Sequence, residues 1–244
     1  MVSSCVNFAN ERIMIQSICK EDLLMNKIRK SEENSMTSNH VMMNGVVCSG
    51  LCFSHISYGE QFYEMEIAVR RSSGREDLIP LMISERLVDT SRDLTGRSVS
   101  VIGQFRSYNH TDGQNVHLIL RVFVQDIKVY GDSEEVLPEN FNDQLNSIFL
   151  DGYLCRKPVY RVTPRGREIA DIMLAVNRPY HNSDYIPCIC WGRNARYACG
   201  LEVGTHLRMR GRIQSRVYRK YAEDKENEVK TAYEISVSSY ECVS

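Results

Sequence analysis

The chain has 244 residues and 43% hydrophobic content, enough for two modest domains with packed cores, which excludes wholesale disorder. Its net charge of −1 hides a regional imbalance: residues 146–244 carry sixteen Lys and Arg against eleven Asp and Glu, whereas residues 131–145 carry five acids and no base. No apolar run reaches the ~18 residues of a membrane helix, and nine cysteines without a CxxC pair point to buried thiols in a reducing cytoplasm rather than a disulfide scaffold or a zinc site.

Residues 1–39 come first. Ile13, Ile15, Ile18, Leu23, Leu24 and Ile28 form only a weak helical stripe, Ser31–Asn39 is polar, and charges at Glu11, Arg12, Lys20, Glu21 and Asp22 make the segment unlike a secretory leader. A flexible or weakly helical segment is expected. After it the chain repeats itself. Ser49-Gly50-Leu51 matches Asp151-Gly152-Tyr153, Ala68-Val69-Arg70-Arg71 matches Ala175-Val176-Asn177-Arg178, and Ile79-Pro80 matches Ile186-Pro187. The interval from Gly96 to Gly103 recurs from Gly204 to Gly211, each filled by alternating residues. Two copies of one all-β unit follow, residues 40–130 and 146–244, joined by an acidic linker at 131–145 that contains Pro138.

The second copy reads as five strands. Ser147–Pro158 opens, and a Pro164-Arg165-Gly166 turn leads into Glu168–Arg178. Asp184–Trp191 follows, then a short helix at Arg193–Cys199 stopped by Gly200. Leu207–Tyr218 and Thr231–Glu241 form a hairpin. Five strands with a helix between the third and fourth is the OB-fold order, a partly open Greek-key barrel. The fold class is therefore all-β, two tandem five-stranded OB barrels, each with a short helix.

Within the hairpin, Leu207, Met209, Gly211, Ile213, Ser215 and Val217 take one parity, and Arg208, Arg210, Arg212, Gln214, Arg216 and Tyr218 take the other. Opposite parities face opposite sides of a sheet. One face is core. The other is a guanidinium row ending in a phenol ring, the combination that a single-strand nucleic-acid groove needs for phosphates and bases. A solvated strand face is the competing reading, and a bulge at Gly211 would shift the register.

The second copy resembles the bacterial single-stranded-DNA-binding protein family. The resemblance is carried by Leu174–Tyr180, Tyr185–Gly192, Gly211–Tyr218 and Ala232–Ile235, about 100 residues of ordered motifs. It implies an OB fold and single-stranded DNA as the partner, wrapped across four barrels. The family's four base-stacking positions fall on Tyr180, Tyr185, Trp191 and Tyr218, all aromatic here. Arg178, Arg193, Arg208, Arg210, Arg212, Arg216 and Lys220 are the phosphate-contacting candidates. The first copy resembles the family weakly: its counterparts to the four rings are Ser73, Leu78, Ser84 and His110. It is expected mainly to support assembly.

Four barrels from a two-barrel chain imply a homodimer. The chain stops just past the last strand at Glu241-Cys242-Val243-Ser244, so recruitment of repair enzymes through an acidic C-terminal tip is not expected. The six histidines show no metal spacing, and GxSxG, Walker and HExxH motifs are absent. No catalytic residue, metal or cofactor is predicted. The alternatives are a single-stranded RNA-binding protein, since stacking does not separate the sugars, and a primosomal or structural protein that uses its barrels for assembly.

Overall fold

Alternating buried and outward side chains run through most extended stretches after residue 38, and the computed structural model folds them into twelve strands. It describes residues 38–112, 115–131, 136–179, 182–222 and 225–243. The N-terminal segment up to Thr37, with the expectation attached to it, lies outside them.

The first barrel comprises β1 (Asn39–Val47), β2 (Cys52–Ser57), β3 (Glu60–Arg70), β4 (Glu76–Ser84), β5 (Ser98–Asp112) and β6 (Asn115–Tyr130). The second comprises β7 (Asn146–Leu154), β8 (Val159–Val162), β9 (Glu168–Asn177), β10 (Ser183–Trp191), the helix α1 (Arg193–Ala198), β11 (His206–Ala222) and β12 (Lys225–Cys242). The opening strand read over Ser147–Pro158 is thus shorter than expected, and a sixth strand, β8, follows it. β7 ends at Leu154, and β8 begins only after Pro158, which has no N–H to give to a ladder.

The helix expected in each barrel forms in the second alone among the described residues. Turns occupy residues 85–97 of the first barrel. There Asp89 accepts the Ser91 N–H at 3.0 Å and Asp93 accepts the Thr95 N–H at 2.9 Å. Such short-range side-chain bonds compete with helical ones.

All twelve strands join in one sheet, in the order β2-β3-β4-β6-β5-β1-β7-β11-β12-β10-β9-β8. Replacing each strand by its repeat partner reads this order backwards, so a pseudo-two-fold axis lies between β1 and β7. Val41 and Ile148 are repeat equivalents and face one another across the antiparallel pairing, which puts the axis through that pair. This is the isologous geometry of a two-fold dimer, built inside one chain.

Each barrel closes where its first strand changes partners. β1 leaves β5 and pairs β3 at Val46, and β7 pairs β9 at Tyr153. The bend needs glycine: a Cβ on Gly45 would lie 2.7 Å from the Ala68 carbonyl oxygen, and one on Gly152 would lie 2.5 Å from that of Ala175. Gly45 is therefore the counterpart of Gly152, correcting the match of Ser49-Gly50-Leu51 to Asp151-Gly152-Tyr153. The core follows the alternation, with Met65, Ile67 and Val69 on β3 answering Ile172, Leu174 and Val176 on β9.

Two reciprocal sets of polar contacts complement the β1–β7 pairing. Asn39 bonds both backbone groups of Phe105, at 2.7 and 2.9 Å, and Asn146 does the same to Ile213, at 2.9 and 2.9 Å. Across the axis, the fully buried Asp77 of β4 accepts the Ser215 N–H at 2.7 Å and its hydroxyl at 3.1 Å, and both Arg71 and Arg212 donate to it. Its equivalent, Asp184 of β10, accepts the Ser107 N–H at 2.6 Å, while the Ser107 hydroxyl accepts the Tyr185 N–H at 2.8 Å. Among the described residues Arg178 alone pairs with Asp184 directly, at 3.2 Å. Burial pushes the Asp184 carboxyl up, and the Ser107 bond and nearby Arg178 and Arg106 only partly offset it.

Candidate nucleic-acid interface

β10 sets the frame. Ile186, Cys188 and Cys190 point into the core, so Tyr185, Pro187 and Trp191 lie on the opposite face, with the buried Ile189 between the last two. Tyr185 is half exposed, and Trp191 lies six residues further on the same side, roughly 20 Å away at the strand rise. The Trp191 indole N–H donates to the Ser236 hydroxyl on β12 at 3.0 Å, which fixes the ring plane against the sheet. Beside this row runs a groove of about 350 Å³ between β8, β9 and the β11–β12 hairpin, with Arg156, Val159, Asp171, Pro187, Arg216 and Glu234 in its walls.

Its charges are balanced. Arg216 lies 3.7 Å from Glu234, and Arg161 lies 2.6 Å from Asp171. Burial pushes the Glu234 carboxyl up. Tyr218 projects further along the hairpin, partly exposed, with the Arg216 guanidinium 5.7 Å from its ring centre.

The arginine row does not form a single surface. Arg208 bonds Asp151 at 2.9 Å and, with Arg210, stands beside β7 near the pseudo-axis; Arg210 lies 5.1 Å over the Phe149 ring. Arg212 turns to Asp77 of the first barrel, at 3.3 Å. Arg216 alone of the four lines the groove. The register does shift at Gly211, as the sequence warned, because a Cβ there would meet the Ser236 carbonyl oxygen at 2.5 Å. Arg178 serves Asp184, and Arg193 is exposed at the start of α1. Lys220 belongs to β11 opposite Glu228, its side chain outside the described part, and Tyr180 lies outside the described residues altogether.

Sequence reading missed Arg156, Val159 and Arg161. They wall the groove or its edge because β8 is a separate strand, and Pro158 was the available signal.

The first barrel's counterparts differ. Leu78 is exposed like Tyr185, whereas Ser84, opposite number of Trp191, is buried and donates to Glu60. His110 is exposed near the tip of β5.

Comparison with known proteins places this geometry. Residues 145–243 match the single-strand binding protein family. Those residues span the second barrel. Over 81 residues it is 40% identical to a single-stranded DNA-binding protein of Halalkalibacterium halodurans, a match covering 30% of this chain and 48% of that one. Single-stranded DNA-binding protein A of Bacillus subtilis is 37% identical over 81 residues, 30% of this chain and 47% of its own. The chain thus spans about half the length of the curated relatives it matches. The crystal structure of the single-stranded DNA binding protein from Thermus aquaticus superposes on 84% of this chain and 93% of its own, with a TM-score of 0.58 at 19% identity. That likeness extends the shared fold over both barrels.

Burial pushes the Cys190 thiol up to about 12 and also pushes Cys188 well up, so both behave as packing groups. Among the described residues no cluster of His, Cys, Asp and Glu could hold a metal ion, and no helix is long and apolar enough to cross a membrane.

Proposed function

We propose that this chain binds and protects single-stranded DNA, largely without sequence preference, during replication, recombination or repair. The observation that carries the reading is the outward row of β10: two rings on one rigid strand, Trp191 held by Ser236, beside a groove with cationic members. In this reading residues 146–244 form the binding barrel, residues 40–130 the supporting one, and 131–145 the linker. Tyr180, Tyr185, Trp191 and Tyr218 stack bases. Arg156, Arg161 and Arg216 contact phosphates, joined by Arg193 and Lys220 at the periphery. Arg178, Arg208, Arg210 and Arg212 hold the barrels' own framework.

Binding is stoichiometric rather than catalytic, and the working compartment is the cytoplasm. Two chains assemble to present four barrels, a reading supported by Met42 and Ile102, which oppose one another on β1 and β5 and are each 38% exposed. Light scattering tests this, and a monomer at micromolar concentration overturns it.

Titration with oligo(dT) while following Trp191, the only tryptophan, tests the main claim: stacking quenches its fluorescence. No quenching and no retardation of the oligonucleotide would refute it. Competition between poly(dT) and poly(U) separates DNA from RNA.

A further inference from the structure

The first barrel has a groove of its own, and it is better furnished than the sequence comparison suggests. β4 runs parallel to β6 with Met82 opposite Phe123, as β10 runs parallel to β12 with Ile189 opposite Ser236. Phe123 is thus the counterpart of Ser236, and Ser84 of Trp191. The second barrel has its ring on the first strand of this pair and its serine on the second. The first barrel has the reverse. The same register places Arg106 opposite Arg121 where the second barrel has Gln214 opposite Glu234, and places Tyr108 where it has Arg216.

These substitutions converge on a cavity of about 410 Å³, lined among others by His55, Arg106, Ser107, Tyr108, Arg121 and Phe123. The buried Phe62 links two of its lining rings from beneath. His55 stacks on Phe62 at 5.1 Å, Phe62 meets Phe123 at 5.7 Å, and the Arg106 guanidinium sits 4.0 Å over Phe123. Tyr108 is 40% exposed. Arg121 bonds Glu64 at 3.1 Å, and Arg106 donates to the neutral Gln104, at 2.8 and 3.1 Å. A third guanidinium, Arg178, enters from the second barrel. Burial and the facing Arg178 charge make Arg106 less basic than usual, and the Asp184 carboxylate only partly offsets them.

We propose that this cavity is a second single-strand site, continuous with the first. Its phosphate contacts are Arg106 and Arg121, with Arg178 held at its edge by Asp184, and its stacking surfaces are Tyr108, His55 and the guanidinium planes. The track is short. Tyr185, at the head of the β10 row, bonds Ser107 through its backbone, and Ser107 lines the cavity. A strand lying along Trp191 and Tyr185 therefore passes over the pseudo-axis into the first barrel without leaving the chain.

This inference rests on the reading of the second barrel, so the test keeps the two apart. Wild type and the double variant Arg106→Gln/Tyr108→Ala are titrated, through Trp191 quenching, with oligo(dT) of about 8 nucleotides, within reach of one barrel, and of about 30, enough for both. The short oligonucleotide is expected to bind both proteins alike. The long one is expected to bind the variant roughly tenfold or more weakly, with fewer nucleotides occluded per chain. Arg106→Lys, which keeps charge but loses the plane, should lie between. Equal affinity and equal occluded length for both proteins would overturn the second site. Failure of the wild type to quench with either oligonucleotide would instead overturn the reading of the second barrel.

Discussion

The two barrels agree wherever side chains point inward and differ wherever they point out. The reciprocal asparagines, the carboxylates Asp77 and Asp184, the bend glycines and the core triplets of β3 and β9 occur in both halves at equivalent positions. The grooves do not match. Trp191 and Ser236 face Ser84 and Phe123, and Glu234 faces Arg121. Close packing penalises changes of even a methylene inside, whereas an outward position on a strand is held by little. Groove chemistry can therefore move between strands while the barrel stays the same.

The largest expected effect breaks the equivalence of the carboxylates. Asp77→Ala strands Arg71 and Arg212, whose side chains are 21% and 29% exposed, and leaves the Ser215 N–H without its acceptor. A loss of about 3 kcal/mol in urea unfolding is expected, at the low end for a broken buried pair because the arginines keep some water. Asp184→Ala, with one direct guanidinium, should cost less. Equal losses would show that the second arginine adds nothing.

Next come the two bulges. Gly211→Ala and Gly103→Ala drive a Cβ against backbone oxygens, of Ser236 at 2.5 Å and Phe123 at 2.4 Å. Each should cost about 1–3 kcal/mol, as overpacking does. Similar values would confirm that the repeat extends to the hairpins, and a tolerated alanine at either would break the parallel.

The grooves are separated by Trp191→Ala and Ser84→Ala. The first should weaken oligo(dT) binding by about 1–3 kcal/mol, one stacked base, read by retardation because the fluorophore is gone. The second should leave binding unchanged and cost about 1 kcal/mol of stability, since Ser84 donates to Glu60 and accepts the Arg86 N–H. Equal binding losses from the two would contradict the assignment.

Much of this was legible in the chain. The repeat, the barrel order, the α1 segment and the shared parity of Tyr185 and Trp191 all follow from period-two alternation and glycine or proline punctuation. The partners of the arginines were not legible. Asp77 is 135 residues from Arg212, and nothing local to β11 announces an acid arriving across a pseudo-axis. The ring at Phe123 was missed for a related reason. Aligning the repeats strand by strand compares Trp191 only with Ser84, whereas the replacement sits on a neighbour that the sheet, not the chain, places beside it. The absent helix at residues 85–97 reflects turn bonds from Asp89 and Asp93 that propensity alone does not reveal.

Salt dependence sharpens the contrast between the framework and the groove arginines. Arg216→Ala should lower the slope of log K against log salt by about 0.7, one single-strand phosphate contact. Arg212→Ala should leave that slope unchanged and lower stability, because its guanidinium serves Asp77. A fall in slope for Arg212→Ala would return it to the binding surface.

The smallest effect is a dependence on pH that has opposite signs at two carboxylates. Burial raises Asp184, so the folded state binds its proton more tightly than the unfolded chain, and its contribution to stability falls as pH rises above the ordinary carboxylate value. Asp151 is also pushed up by burial, but bonds from His206 and Arg208 outweigh this and hold it low, so its contribution is present above the ordinary value and lost as pH falls. Asparagine imitates the protonated form of each. Relative to wild type, Asp184→Asn should therefore gain stability as pH rises above the ordinary carboxylate value, while Asp151→Asn should be the less stable above that value, with the deficit shrinking as pH falls below it. Urea midpoints at several pH values read the difference. Parallel curves would mean that the single guanidinium at Asp184 compensates its burial as fully as two donors do at Asp151, so that burying a carboxylate between the barrels carries no electrostatic cost of its own.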